Sequence, residues 1–110
     1  FDVVVDLRVN SATFGKWGGE ILNVSNKKLL WIPPGFAHGF LTLSDSADVQ
    51  YKVTSFWESK SEKTIKWNDP EINIEWPFND FGISIPFLSP KDEIGILLKD
   101  AKREGYIFQA

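Results

Sequence analysis

The sequence predicts an all-β fold, an antiparallel sandwich or barrel with short helices at its C-terminal end. Short alternating segments succeed one another with turn clusters between them, and no helical period appears before residue 89. Aromatic residues are dense, with five Trp, nine Phe and two Tyr among 110 residues, as suits a β-rich core or a pocket that stacks flat ligands. This length allows one domain, with strands expected over residues 1–88 and a helical segment of the same domain over 89–110.

The first element runs from Phe1 to Arg8. Phe1, Val3, Val5 and Leu7 fall on one face and Asp2, Val4, Asp6 and Arg8 on the other, the period of a half-buried strand. A chain that opens in mid-strand reads as a piece of something longer. Val9 to Gly15 is polar and contains glycine, so it is a connection. Further strands are expected at Gly19 to Val24, Leu29 to Ile32, Gly39 to Ser44, Asp48 to Trp57, Thr64 to Trp67 and Ile72 to Trp76. Asn/Ser/Lys, Pro-Pro-Gly, Ser-Asp-Ser and Asn-Asp-Pro clusters separate them. Because no helical pattern lies between strands, a parallel α/β sheet is disfavoured. At Ser89-Pro90-Lys91-Asp92 the period changes: a capping residue, Pro at the first helical position and a carboxylate at the third start a helix. Ile94, Leu97, Leu98 and Ala101 then fall at helical spacing, giving one or two short helices.

Composition narrows the function classes. Fifteen acidic against twelve basic residues give a net charge of -3, with no Lys/Arg stripe to grip a phosphate backbone, so nucleic acid is not the expected partner. No apolar run exceeds four residues, so no membrane-spanning helix is expected. The absence of Cys removes disulfide and thiolate chemistry and points to a reducing, cytoplasmic setting. A single His, His38, cannot build a zinc or non-haem iron site that needs several imidazoles. Phosphate-loop, metal-cluster and nucleophile-elbow motifs are all missing.

Three constellations could carry chemistry. In Trp31-Ile32-Pro33-Pro34-Gly35-Phe36-Ala37-His38-Gly39-Phe40 the prolines and Gly35 fix a tight turn. Phe36, His38 and Phe40 then share a strand face, with Gly39 left for a close approach on the other. His38 is either a hydrogen-bond donor in a dry pocket or a core histidine satisfied by a carbonyl. Along Asp48 to Trp57, Tyr51 and Trp57 share a face roughly 20 Å apart at ~3.3 Å per residue. The phenol could return a proton to a carbanion and the indole could stack a base, or both are core aromatics. Lastly, Asp92 either orients a catalytic His or completes a capping box, and Glu62, Lys60, Lys63 and Lys91 surround it as site residues or as solvated loop charges.

Taken in order, Phe1 to Arg8, Thr13-Phe14-Gly15-Lys16-Trp17, the 31–40 segment, Tyr51-Lys52, Trp67-Asn68-Asp69-Pro70, Glu75-Trp76-Pro77 and Leu88-Ser89-Pro90-Lys91-Asp92 resemble the dTDP-4-dehydrorhamnose 3,5-epimerases over about residues 1 to 92. The resemblance implies a cupin-like jelly roll, usually a homodimer. It would act without metal or cofactor on a thymidine-diphosphate-linked 4-keto-6-deoxyglucose in L-rhamnose synthesis. Tyr51 matches the family's proton donor, and Asp92 the carboxylate paired with the catalytic His. His38, Glu62 and Lys91 match substrate-contacting positions, and Trp57 stands where the family has a Tyr stacked on the thymine.

One departure matters. The family's base His and the Lys near the enolate oxygen belong to a segment upstream of that matched by Phe1, and neither is present. The expectation is therefore a piece of an epimerase, inactive by itself, whose jelly roll lacks its N-terminal strands and so has open edges. The alternatives are a non-catalytic nucleotide-sugar-binding cupin module and a related enzyme that epimerises C3 or C5 alone.

Overall fold

The computed structural model describes all 110 residues, Phe1–Ala110. Its regular sheet has three antiparallel strands: β1 (Asp2–Asp6), β2 (Trp17–Glu20) and β3 (Phe36–Phe40), with β1 between the other two. Val3 faces Gly19 on one side and Gly39 on the other, while Val4 lies opposite His38. The alternation read in the first eight residues therefore sorts the two faces. Val3, Val5 and Leu7 are buried and form the core with Ile72 and Leu98. Phe1 packs edge-on against both Trp17 and Trp76, at ring-centroid distances of 6.5 and 6.1 Å.

Ser89 starts the first helix as its local chemistry dictates, accepting the Asp92 backbone N–H on its hydroxyl ahead of Pro90. The helical period is not continuous, however. Helix α1 (Pro90–Glu93) ends in a turn at Ile94, Ile96 then bridges Ile65, and α2 (Leu98–Glu104) follows. Gly95 permits this bridge, because a Cβ there would stand 2.9 Å from the Lys66 N and Cα atoms. Leu98 and Ala101 of α2 seal the core, and burying a leucine side chain contributes about 2 kcal/mol. The C-terminal end returns to β1: Val9 donates to the Phe108 carbonyl and Phe108 to that of Leu7.

Two carboxylates are buried with full sets of partners. Asp6 accepts from the Arg8 Nε (2.9 Å) and Nη2 (3.0 Å), the Arg8 amide, the Ser11 hydroxyl (2.7 Å) and the Thr13 hydroxyl (2.5 Å). Thus the polar connection after β1 is a clip around a buried anion, and the Arg8 guanidinium above all holds the Asp6 carboxyl far below the usual carboxylate range. Asp69 takes the Glu71 and Ile72 amides on Oδ1 and the Leu98 amide on Oδ2.

The coarse reading, antiparallel sheet with only short helices, agrees with the structure, but several expected strands do not form. Gly19 to Val24 is paired only to Glu20, and Gly39 to Ser44 only as far as Leu41, which exchanges hydrogen bonds with Phe1 just beyond the end of β3. Thr64 to Trp67 keeps a single bridge at Ile65, while Leu29 to Ile32, Asp48 to Trp57 and Ile72 to Trp76 have no ladder. The physical reason is that a strand exists through its neighbour, and the backbone of residues 29–32 and 48–57 finds no hydrogen-bond partner within this chain. Large apolar side chains on the unladdered segments stay in solvent, Leu29 at 97%, Phe56 at 102% and Phe87 at 107% exposure. The outer edges of β2 and β3 are likewise unpaired.

Candidate active site

The turn Pro33-Pro34-Gly35 aims β3. Gly35 has φ +93°, and a Cβ there would overlap the Arg8 side chain at 2.6 Å, so glycine is required on both counts. Beyond it, strand alternation puts Phe36, His38 and Phe40 on the sheet face that Asp2, Val4 and Asp6 share. There His38 meets Asp2, one ladder step away, with Nε2 2.5 Å from Oδ1. A carboxylate on one ring nitrogen fixes the tautomer, leaving Nδ1 as the accepting atom of the neutral imidazole. Neither alternative read from the spacing describes this: His38 is satisfied by a side chain, and its partner is Asp2.

A cavity of about 640 Å³ opens along β3. His38, Glu62, Lys91 and Asp92 line it together with Trp67 and Trp76. Tyr51 stands against His38 edge-on at 6.4 Å between ring centroids, largely exposed. Lys91 donates to the Glu62 Oε1 at 2.7 Å. That pairing draws the Glu62 carboxyl below its usual range and raises the Lys91 ammonium, which Asp92 and Tyr51 raise further. Trp57 is 76% exposed and is not among the residues that line the cavity. The expected face shared by Tyr51 and Trp57 along one strand is not realised, since their segment has no ladder. Gly39 also differs from expectation, because a Cβ there would meet nothing within 4 Å.

Residues distant in sequence are thus assembled into one group: an imidazole with a carboxylate behind it, a phenol, an ammonium and two further carboxylates. Such a set can accept a proton, return one and hold negative charge. Asp92 contributes its amide to the Ser89 cap and also lines the cavity. No three His, Asp or Glu side chains converge as a metal-holding set. The residue that sequence reasoning missed is Asp2. Its signal was the polar face of the first strand, which gains meaning only once β1 and β3 pair in register. No helix is long and apolar enough to cross a membrane.

Comparison with known proteins follows the same lines. The family model of dTDP-4-dehydrorhamnose 3,5-epimerase matches residues 1–100. The dTDP-4-dehydrorhamnose 3,5-epimerase of Pseudomonas aeruginosa is 52% identical over 101 residues, covering 92% of this chain and 54% of the relative. Among solved structures, a Legionella pneumophila dTDP-6-deoxy-D-glucose-3,5-epimerase in complex with dTDP-4-keto-L-rhamnose superimposes with a TM-score of 0.90 at 44% identity, over 100% of this chain and 56% of that one. A 3'-monoepimerase from Streptomyces bikiniensis in complex with dTDP-quinovose gives 0.89 at 32% identity, over 98% and 52%. The chain spans about half the length of the curated relatives it matches.

Proposed function

Since the chain belongs to the dTDP-4-dehydrorhamnose 3,5-epimerase family, we propose that it serves the epimerisation of a thymidine-diphosphate-linked 4-keto-6-deoxyhexose at C3 and C5. The observation that carries this is the convergence of His38, Glu62, Lys91 and Asp92 on one cavity with Tyr51 against His38. Both carbons flank the C4 ketone, so removing either C–H proton leaves an enolate whose charge rests on the C4 oxygen. A base takes the proton from one face of the ring, and an acid on the other face returns one to the same carbon, inverting it. No atom is gained or lost.

In this reading Tyr51 is the acid, and its phenolate is reprotonated from solvent. His38, its Nε2–H held by Asp2, meets the sugar through Nδ1 as an acceptor. Asp92 is the carboxylate that backs a base His contributed by the part of the family's length this chain does not span. The Lys at the enolate oxygen comes from the same part, so the 110 residues alone are inactive. Trp57 stacks on the thymine, while Lys91 and Glu62 address the nucleotide end. The same missing strands would close the sheet into a jelly roll, with residues 1–88 in its strands and 89–110 as its helical end. A homodimer in the cytoplasm and chemistry without metal or organic cofactor complete the proposal.

The test is proton NMR in deuterated water with the thymidine-linked 4-keto-6-deoxyglucose, following deuterium at C3 and C5. Exchange is expected only when the upstream half of a family member is supplied with this chain, and Tyr51→Phe and Asp92→Asn are expected to reduce it. Exchange by the chain alone, or none in either case, overturns the reading. The likeness to a 3'-monoepimerase supports a second reading, and deuterium at C3 alone would select it.

A further inference from the structure

Resting on the reading above in which His38 meets the sugar, we propose that Arg8 is a positioning residue for that site: clamped by Asp6, it fixes where β3 leaves the Pro33-Pro34-Gly35 turn and thereby holds His38 within reach of Asp2. Three contacts of one side chain carry this. The Nε and Nη2 atoms donate to the two oxygens of the buried Asp6 carboxylate at 2.9 and 3.0 Å, so the guanidinium plane is fixed. The methylene stem lies beneath Gly35, close enough that a Cβ on that residue would stand 2.6 Å from Cγ and 3.0 Å from Cδ. The guanidinium carbon lies 4.7 Å from the centre of the Phe36 ring. Asp6 is anchored in turn by the Ser11 and Thr13 hydroxyls, and the Leu7 amide donates to the Gly35 carbonyl at 3.0 Å.

The strand needs such an anchor. It has β1 as a neighbour on one side, and its outer edge is unpaired. On the core face, where packing usually sets register, β3 offers only Ala37 opposite Val5 and Gly39 opposite Val3. Small side chains there specify register weakly, and a slip of one residue would turn His38 to the other face, away from Asp2. The first rung of the ladder joins Asp6 to Phe36, and His38 follows two residues later on the same face. By gripping Gly35 and Phe36 together, Arg8 fixes the rung from which the position of His38 follows. A lysine cannot do all of this, because one ammonium lacks both the fork that spans a carboxylate and the plane that lies on a ring.

His38 is the chain's single histidine, so nitrogen NMR of the full 110-residue chain reads its ring alone. The neutral ring of the parent is expected to carry its proton on Nε2, the atom facing Asp2. Arg8→Lys is expected to raise the Nδ1–H form several-fold in a chain that circular dichroism shows to be folded. The control is Asp69→Ala, which frees the Glu71, Ile72 and Leu98 amides away from β3 and is expected to keep the parent ratio. A parent ratio in Arg8→Lys would make Arg8 a stabilising residue only and overturn the proposal. An equal change in both variants overturns it as well, since general loosening then explains the shift. Should Arg8→Lys not fold, Arg8→Gln is read in an Asp6→Asn background, where no buried charge is left unpaired. The same shift is expected there, and the parent ratio again overturns the proposal. No sugar is present in these spectra, so their outcome is separate from the deuterium result that decides the epimerase reading.

Discussion

The His38 Nε2 lies 2.5 Å from the Asp2 Oδ1, although 36 residues separate them, because β3 pairs with β1 in a register that sets His38 opposite Val4. The carboxylate determines which ring nitrogen carries the proton. Asp2→Asn keeps the size and removes the charge, so the tautomer is no longer held. Nitrogen NMR of His38 is expected to show one neutral tautomer in the parent chain and a mixture in the variant. An unchanged spectrum would remove Asp2 from the site.

The Asp6 clip predicts acid sensitivity of a definite sign. Its folded-state pKa is depressed, chiefly by Arg8 and further by Thr13 and Ser11. The stability it contributes is complete above the unfolded carboxyl value of about 3.9 and is lost as the pH falls from there toward the folded value. Asp6→Asn cannot lose what it never had. Thermal melts between about pH 2 and 7 are expected to start lower for the variant and to fall less steeply below pH ~4. Parallel curves would show that another carboxylate governs acid unfolding.

Asp69 joins the loop before Ile72 to the first residue of α2, accepting from the Glu71, Ile72 and Leu98 amides. Asp69→Ala leaves the buried Ile72 and Leu98 amides without this acceptor, at a cost of about 2 kcal/mol or more. Hydrogen exchange at the Leu98 amide is expected to rise with the loss of stability. Protection retained at Leu98 would mean that hydrophobic packing alone docks the helix.

These cases separate what the sequence expresses locally from what it does not. Val3, Val5 and Leu7 were legible as a core face because period-2 alternation is a property of the strand itself. Ser89 and Pro90 were legible for the same reason, since a helix start is encoded in four adjacent residues. The Asp2 partner of His38 was not, because it depends on the register between strands far apart in sequence. Asp48 to Trp57 alternates as a strand should, yet forms no ladder, since strand formation is decided by a neighbour and not by the segment. One candidate residue from that segment still reaches the site, Tyr51, by its ring against His38.

Glycines show the same division, and a matched pair tests it. Gly39 reads as the site of a close approach but faces open space, whereas Gly95, unremarked in the helical pattern, lies against the Lys66 backbone. Gly39→Ala is expected to be neutral or to stabilise by up to about 1 kcal/mol, because alanine restricts the unfolded chain and meets nothing in the folded one. Gly95→Ala puts a methyl 2.9 Å from backbone atoms that cannot rotate away, so the Ile65 to Ile96 bridge must shift, at a cost of about 1 to 3 kcal/mol. Urea unfolding of the two variants gives the comparison. Equal midpoints would mean that residues 94–97 do not lie as close to Lys66 as the structure places them.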